Sequence, residues 1–264
     1  MRTLVCQSFR TERVPAWVQS CMASVQDWAR LRGHGYRFFD DALFSLVPDW
    51  FRDKAQGEVC PVTDLARLLL IKGLLAEEGI DAVAWVDADV LVFAPEALDV
   101  AIERDYAFCR ETWVYPGPDG PMRCSLRVAN AVTVFARENA QLDFFIDAAL
   151  RIGRHQARIG KLDIGTNFLS RLSGILPMTL LPTVGFFSPA VMAELAHGPA
   201  QAGDAALRTL GAHTLAPLAC ANLCASLSGQ AHEGLALDDA AYERVIARCL
   251  ESRGAVVNRF RPGA

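Results

Sequence analysis

A basic surface is missing from this chain of 264 residues: 26 Lys and Arg face 30 Asp and Glu, a net charge of −4. Phosphate backbones need a basic face, so the balance argues against a nucleic-acid partner. Only a thin basic C-terminus, Arg253, Arg259 and Arg261, runs the other way. No apolar run approaches the length needed to cross a bilayer. The N-terminal MRTLVCQSFRTERVP has too short an apolar stretch for a secretory signal. Together these imply a soluble, cytoplasmic protein, with contact at the inner face of a membrane left open. Repeats, low-complexity tracts and linkers are also lacking, so residues 1–264 are expected to form one domain. The eight cysteines are scattered through apolar segments and read as buried, reduced thiols. Cys220 and Cys224, four apart, suit one helix face and not a zinc knuckle.

What is present is an ordinary globular composition, 52% hydrophobic and 21% charged. Thr3 to Phe9 reads as a strand. Pro15 opens a helix with Trp17, Val18, Cys21, Met22, Val25 and Trp28 on one face. Tyr36 to Phe39 is a short second strand, and Pro48 and Pro61 mark a loop-rich segment. Thr63 is placed to cap a helix over Asp64 to Glu78, which Gly79 closes. The strand Ala82 to Val86 follows, completing a β-α-β-α-β pattern that predicts a parallel sheet covered by helices. Further on, strands are expected at Tyr106 to Arg110, Arg127 to Ala136 and Leu176 to Leu181. YPGPDGP, Tyr115 to Pro121, is a loop, and a helix is expected from Glu138 to about Arg151. From Ala200 the chain reads as mostly helical, ending in a helix near Asp238 to Ser252.

Two carboxylates stand in the apolar run AVAWVDADVLVF. In an extended chain Asp87 and Asp89, at i and i+2, point to one side and converge. Such a pair repels unless one member stays protonated or a cation intervenes. Hard divalent cations prefer oxygen ligands, and ligands of open α/β sheets sit beyond the carboxyl ends of the strands. Two chemistries use this arrangement. One is sugar-nucleotide transfer, with the metal on the donor diphosphate. The other is a haloacid-dehalogenase-type phosphatase, in which Asp87 would be the nucleophile and Asp89 an acid/base. The phosphatase also needs a later lysine and an acidic pair, for which Lys161 and Asp238-Asp239 are the candidates. A helix carrying Asp64 and Arg67 on one face, three apart, favours the transferase. Such a pair can accept from sugar hydroxyls and donate to phosphate.

Several stretches resemble glycosyltransferases whose sugar-binding region carries a DXD motif. That group includes the initiating α-1,6-mannosyltransferases and many bacterial polysaccharide and capsule transferases. LVCQSF is similar to the family's first strand, SVQDWARLRGHGYRFFDD to its Ser-Trp…Gly-Tyr…Asp-Asp stretch, and TDLARLLLIKGLLAEEG to its Ser-Asp-x-x-Arg helix. AWVDADVLVF takes the DXD position. The resemblance implies a GT-A fold: α/β, with a mixed, mainly parallel central sheet flanked by helices. About residues 1–93 would form the nucleotide-sugar half and about 94–264 the acceptor side. It implies transfer of a sugar from a nucleotide-diphosphate donor to a glycan or lipid-linked sugar acceptor, with retention and with Mn²⁺ or Mg²⁺. By the same resemblance Gln7, Ser8, Asp64, Arg67 and Asn130 bind the donor. Asp87, Asp89 and Asn222, the last where the family has a late histidine, hold the metal. Asp163 and Asn167 manage the β face of the sugar. Trp113 is the acceptor-stacking candidate, while Trp17, Trp28 and Trp50 suit the core. A third reading is a catalytically silent sugar-nucleotide or glycan-binding protein.

Overall fold

The structure, a computed structural model, describes residues 2–102, 105–198, 203–232 and 235–263. A six-stranded sheet lies at the centre. Its strands are β1 (Thr3–Ser8), β2 (Gly35–Phe39), β3 (Ala82–Val86), β5 (Tyr106–Pro116), β6 (Met122–Ala136) and β7 (Leu180–Leu181). Their order is β2-β1-β3-β6-β5-β7. β1 runs parallel to β2 and β3, and β5 parallel to β7, while β6 is antiparallel to both neighbours. The sheet is thus mixed and mainly parallel, as the resemblance implied; the antiparallel β6 is what the β-α-β pattern did not foresee. A second sheet joins β4 (Val90–Val92), β9 (Cys220–Asn222) and β8 (Val184–Phe186). A short hairpin pairs β10 (Ala231–His232) with β11 (Leu235–Ala236).

Helices cover both faces of the central sheet, because its inner strands are apolar on both sides. Val83 and Trp85 pack with Leu65, Leu68 and Ile71 of α3 (Val59–Leu75) and Phe145 of α4 (Leu142–His155). Ala82, Ala84 and Val86 pack the opposite way, against Val25 and Trp28 of α1 (Ala16–Leu31). α2 (Asp49–Ala55) and α5 (Thr166–Ser173) join the first layer. A further apolar cluster gathers around Trp17, which stacks on Tyr242 at 4.1 Å. It is built from α6 (Pro189–His197), α7 (Ala205–His213), α8 (Asp239–Glu251) and α9 (Ala255–Asn258). Among the described residues no helix is long and apolar enough to cross a membrane.

Several local expectations need correction. α3 begins at Val59, so Thr63 lies inside it and donates its hydroxyl to the Val59 carbonyl, 3.1 Å away. Pro61 was read as loop, but a proline in a first helical turn removes only an N–H that has no helical partner. α4 starts four residues later than expected, where Asn139 accepts from the Leu142 N–H at 2.8 Å. Leu176–Leu181 is strand only at its last two residues. Cys220 and Cys224 share no helix face: Cys220 is in β9, and Cys224 has a left-handed backbone, φ 57°. All eight thiols are free, and Cys6, Cys21, Cys109, Cys220 and Cys249 are buried. Ala200 falls outside the described residues.

Two features of the fold prepare a cleft. Between β3 and β4 the chain turns through Ala88 and Asp89, passing from the central sheet to the smaller one. Meanwhile β5 and β6 run on past β3: Val132–Ala136 pair with β3, whereas Met122–Ala129 pair only with β5. This overhanging hairpin walls the space beyond the ends of β1 and β3.

Candidate active site

The cleft beyond those strand ends has a volume of about 850 Å³. Ser8, Asp64, Arg67, Asp87, Asp89, Asn130 and Asn222 all line it, although they come from five separate chain segments. Gln7, Asp163 and Asn167 do not.

Arg67 is the hub of one wall. Its guanidinium lies 3.2 Å from Asp64 and 3.3 Å from Asp87. It donates to the Asn130 carbonyl at 2.5 Å, to the Thr63 carbonyl at 3.4 Å, and sits 5.2 Å over the Trp85 ring. The side chain is only 5% exposed. Such a buried fork is stable only because its donors meet acceptors. Arg67 is therefore committed to protein groups, and the expectation that it grips phosphate is corrected. Asp64 is equally enclosed: it accepts from the Asn130 amide at 3.0 Å, and Gly165 packs against it so tightly that a Cβ there would fall 2.6 Å from its Oδ2. Burial pushes the Asp64 carboxyl up to about 6, with Arg67 and Asn130 opposing.

Asp87 accepts from the Trp85 indole at 2.7 Å. Burial raises its pKa, and Arg67 and Trp85 hold it back. Asp89 sits in the turn and not in an extended continuation of β3, so the i, i+2 geometry expected from sequence is replaced by a turn that still brings both carboxylates to one cleft. It accepts from the Ala225 N–H and from the Asn222 amide, each at 2.7 Å. Burial, then the charge of Asp87, pushes Asp89 up to about 7.

Three assignments are corrected. Gln7 is fully buried. Its amide donates to the Asp87 carbonyl at 3.2 Å and accepts from the Tyr36 hydroxyl at 3.1 Å, so it braces the aspartate turn from behind. Asn222 turns its amide oxygen to the Cys224 N–H, 2.7 Å away, and its NH₂ to Asp89. It therefore orients Asp89 and presents no oxygen to a cation beside it. Asp163 accepts from the Gly160 N–H at 2.8 Å and clamps its own loop, and Asn167 is exposed on α5. Neither faces the reaction space.

The paired carboxylates fit a divalent cation in a particular way. Partial burial raises both carboxyls and the charge of Asp87 raises Asp89 further, so positive charge brought beside them is favourable. Among the described residues no group of three or more His, Cys, Asp or Glu could cage a metal. The donor set suits a hard cation that completes its shell with phosphate oxygens and water.

Sequence reasoning missed most of the opposite wall, the overhanging hairpin. Glu111 and Arg127 are cross-strand partners and form an ion pair, with Glu111 5% exposed. Arg127 lies 5.7 Å over Trp113, and Trp113 meets His232 edge-on at 5.7 Å. The available signal was the alternation in RETWVY, which sets an acid and an indole on one strand face. Lys161 also lines the cleft. The acidic pair needed by the phosphatase reading is elsewhere: Asp238 caps α8, and Asp239 accepts from the Trp17 indole at 3.0 Å.

No family model matches the chain, and no curated protein matches it. Solved structures do show a distant likeness. A glycosyltransferase involved in glycosylation of the major capsid of PBCV-1 is 9% identical over 94% of this chain and 100% of that one, with a TM-score of 0.45. Mouse xyloside xylosyltransferase 1, apo form, is 12% identical over 85% and 98%, TM-score 0.43. The galactosyltransferase LgtC, in complex with donor and acceptor sugar analogs, is 14% identical over 94% and 96%, TM-score 0.42. At such scores the likeness carries no mechanistic weight, and the chemistry rests on the side chains.

Proposed function

We propose that this cleft is the active site of a metal-assisted glycosyltransferase of GT-A type, formed by residues 1–264 as one unit. The donor is a nucleotide-diphosphate sugar and the acceptor a glycan or lipid-linked sugar. The observation that carries this reading is the Asp87–Asp89 pair: two carboxylates in one cleft, both raised by burial, with a single buried guanidinium beside the first. A protein tolerates that arrangement when a ligand brings positive charge. Mn²⁺ or Mg²⁺ bound there supplies Lewis-acid charge to the leaving diphosphate.

The chain's own residues supply the rest. Asp87 and Asp89 hold the cation. Arg67 and the Trp85 indole aim Asp87 and favour its ionised form, while Asn222 and the Ala225 N–H do the same for Asp89 against the burial that raises both. Ser8, at the end of β1, borders the nucleoside, and Asp64 and Asn130 border the donor sugar. On the hairpin, Trp113 offers an apolar face to a pyranose, and Glu111 and Arg127 offer hydrogen bonds to its hydroxyls. Retention of configuration and a role in polysaccharide synthesis are supported by the sequence resemblance and not by this geometry. A silent sugar-nucleotide binder is favoured by one observation, the turned-away oxygen of Asn222.

A panel of nucleotide sugars, each with Mn²⁺ and with chelator, tests the reading. The transferase should release nucleoside diphosphate from one donor only with metal. Asp87→Asn and Asp89→Asn should each lower that rate at least ~100-fold, which is ~2.7 kcal/mol of transition-state stabilisation. Their folds should be unchanged by circular dichroism. Thermal stabilisation by a donor without any turnover would support the binder, and wild-type rates in either variant would remove the assignment.

A further inference from the structure

We infer that Lys161 is the residue of this chain that meets the donor's diphosphate, the part sequence reasoning gave to Arg67. This rests on the transferase reading above and adds a residue to it.

Among the described residues four cationic side chains line the cleft: Arg10, Arg67, Arg127 and Lys161. Arg67 is occupied by Asp64, Asp87 and the Asn130 carbonyl. Arg127, on the hairpin wall assigned above to the acceptor, is paired with Glu111 and lies over Trp113. Arg10 lies over Phe9 and donates to the Arg13 carbonyl at 3.1 Å. Lys161 has no hydrogen-bonded or ion-paired partner among the described residues.

Its loop is held at both ends. The Gly160 N–H donates to Asp163 at 2.8 Å, and the Asn167 N–H to the Leu162 carbonyl at 3.0 Å. Downstream, Gly165 packs directly on Asp64. The lysine is thus mounted on a braced loop docked against the aspartate wall. Its charge lowers the thiol pKa values of both Cys60, in α3, and Cys224, after β9, against the burial that raises them. The ammonium therefore acts on both flanks of the cleft. A compact point charge with three rotatable donors suits a diphosphate whose negative charge grows as the glycosidic bond breaks.

Inorganic pyrophosphate with Mg²⁺ is a probe that needs no knowledge of base or sugar. Calorimetric titration of the wild type should show binding. Lys161→Ala should weaken it at least tenfold, ~1.4 kcal/mol, and Lys161→Arg should return it to within threefold of wild type. The melting temperature of both variants should match wild type, since the side chain supports no other group. Binding by Lys161→Ala within twofold of wild type would overturn the inference. Absence of magnesium pyrophosphate binding to the wild type is a different failure: it would remove the transferase reading itself, and this inference with it.

Discussion

Replacing Arg67 with Met tests the logic of the aspartate wall. Methionine fills similar volume, so the loss is electrostatic. The guanidinium sits 3.2 Å from Asp64 and 3.3 Å from Asp87, with 5% of its side chain exposed. Removing one partner of a buried pair costs about 3–5 kcal/mol when the other charge is left behind. The cost must depend on pH. Asp64 has a folded pKa of about 6, above its unfolded value. Its ionisation therefore destabilises the fold progressively as pH rises toward 6, and no further once both states are ionised. Without Arg67 the folded pKa climbs higher, and the loss extends to higher pH. A rise of about two units would add roughly 3 kcal/mol at pH 8. At pH 5 Asp64 is mostly protonated with or without Arg67, so its share of the loss disappears there and the substitution costs less, through Asp87 and the hydrogen bonds to Asn130 and Thr63. Urea denaturation of metal-free protein at pH 5 and pH 8 measures both values. A double variant, Arg67→Met with Asp64→Asn, should recover part of the pH 8 loss. Equal losses at the two pH values, or a loss at pH 8 below about 1 kcal/mol, would refute the reasoning.

Other changes separate the walls of the cleft. Gly165→Ala forces a methyl to 2.6 Å from Asp64 Oδ2, so it should cut metal-dependent donor turnover at least ~10-fold and lower the melting temperature by about 2–6 °C for ~1–2 kcal/mol of strain. Trp113→Ala should raise the KM for acceptor several-fold while leaving magnesium pyrophosphate affinity unchanged in titration calorimetry; equal losses on both would remove the acceptor role. Gln7→Leu removes one hydrogen bond from the Tyr36 hydroxyl and one from the Asp87 carbonyl, which keeps the Val90 N–H at 3.1 Å, and this should cost about 1 kcal/mol in urea unfolding and lower donor turnover through Asp87, even though Gln7 never touches the cleft.

The layered sheet was legible because strand and helix periodicities are local. Val83 and Trp85 against Ala82, Ala84 and Val86 show the two-sided burial that an apolar run implies, and Trp17, Val18, Cys21, Val25 and Trp28 are buried on the face of α1 that their spacing implied. The boundaries that slipped did so where two local rules compete. Pro61 is both a loop signal and a tolerated first-turn residue, and Thr63 hydrogen-bonds back within a helix instead of capping it.

By itself, then, the sequence determined which carboxylates are unusual and that an Asp and an Arg share one helix face. Residue type and spacing along a single element are enough for that. The tertiary structure decided what those groups do to one another. It turned Arg67 inward to Asp87, set Gln7 behind the aspartate turn and rotated the Asn222 amide toward Asp89. It also swung the β5–β6 hairpin across from them and docked the Lys161 loop beside Asp64. Those outcomes depend on contacts between residues far apart in the chain. Whether a buried polar group faces solvent or another polar group is set by which elements pack against it, and no local pattern encodes that choice.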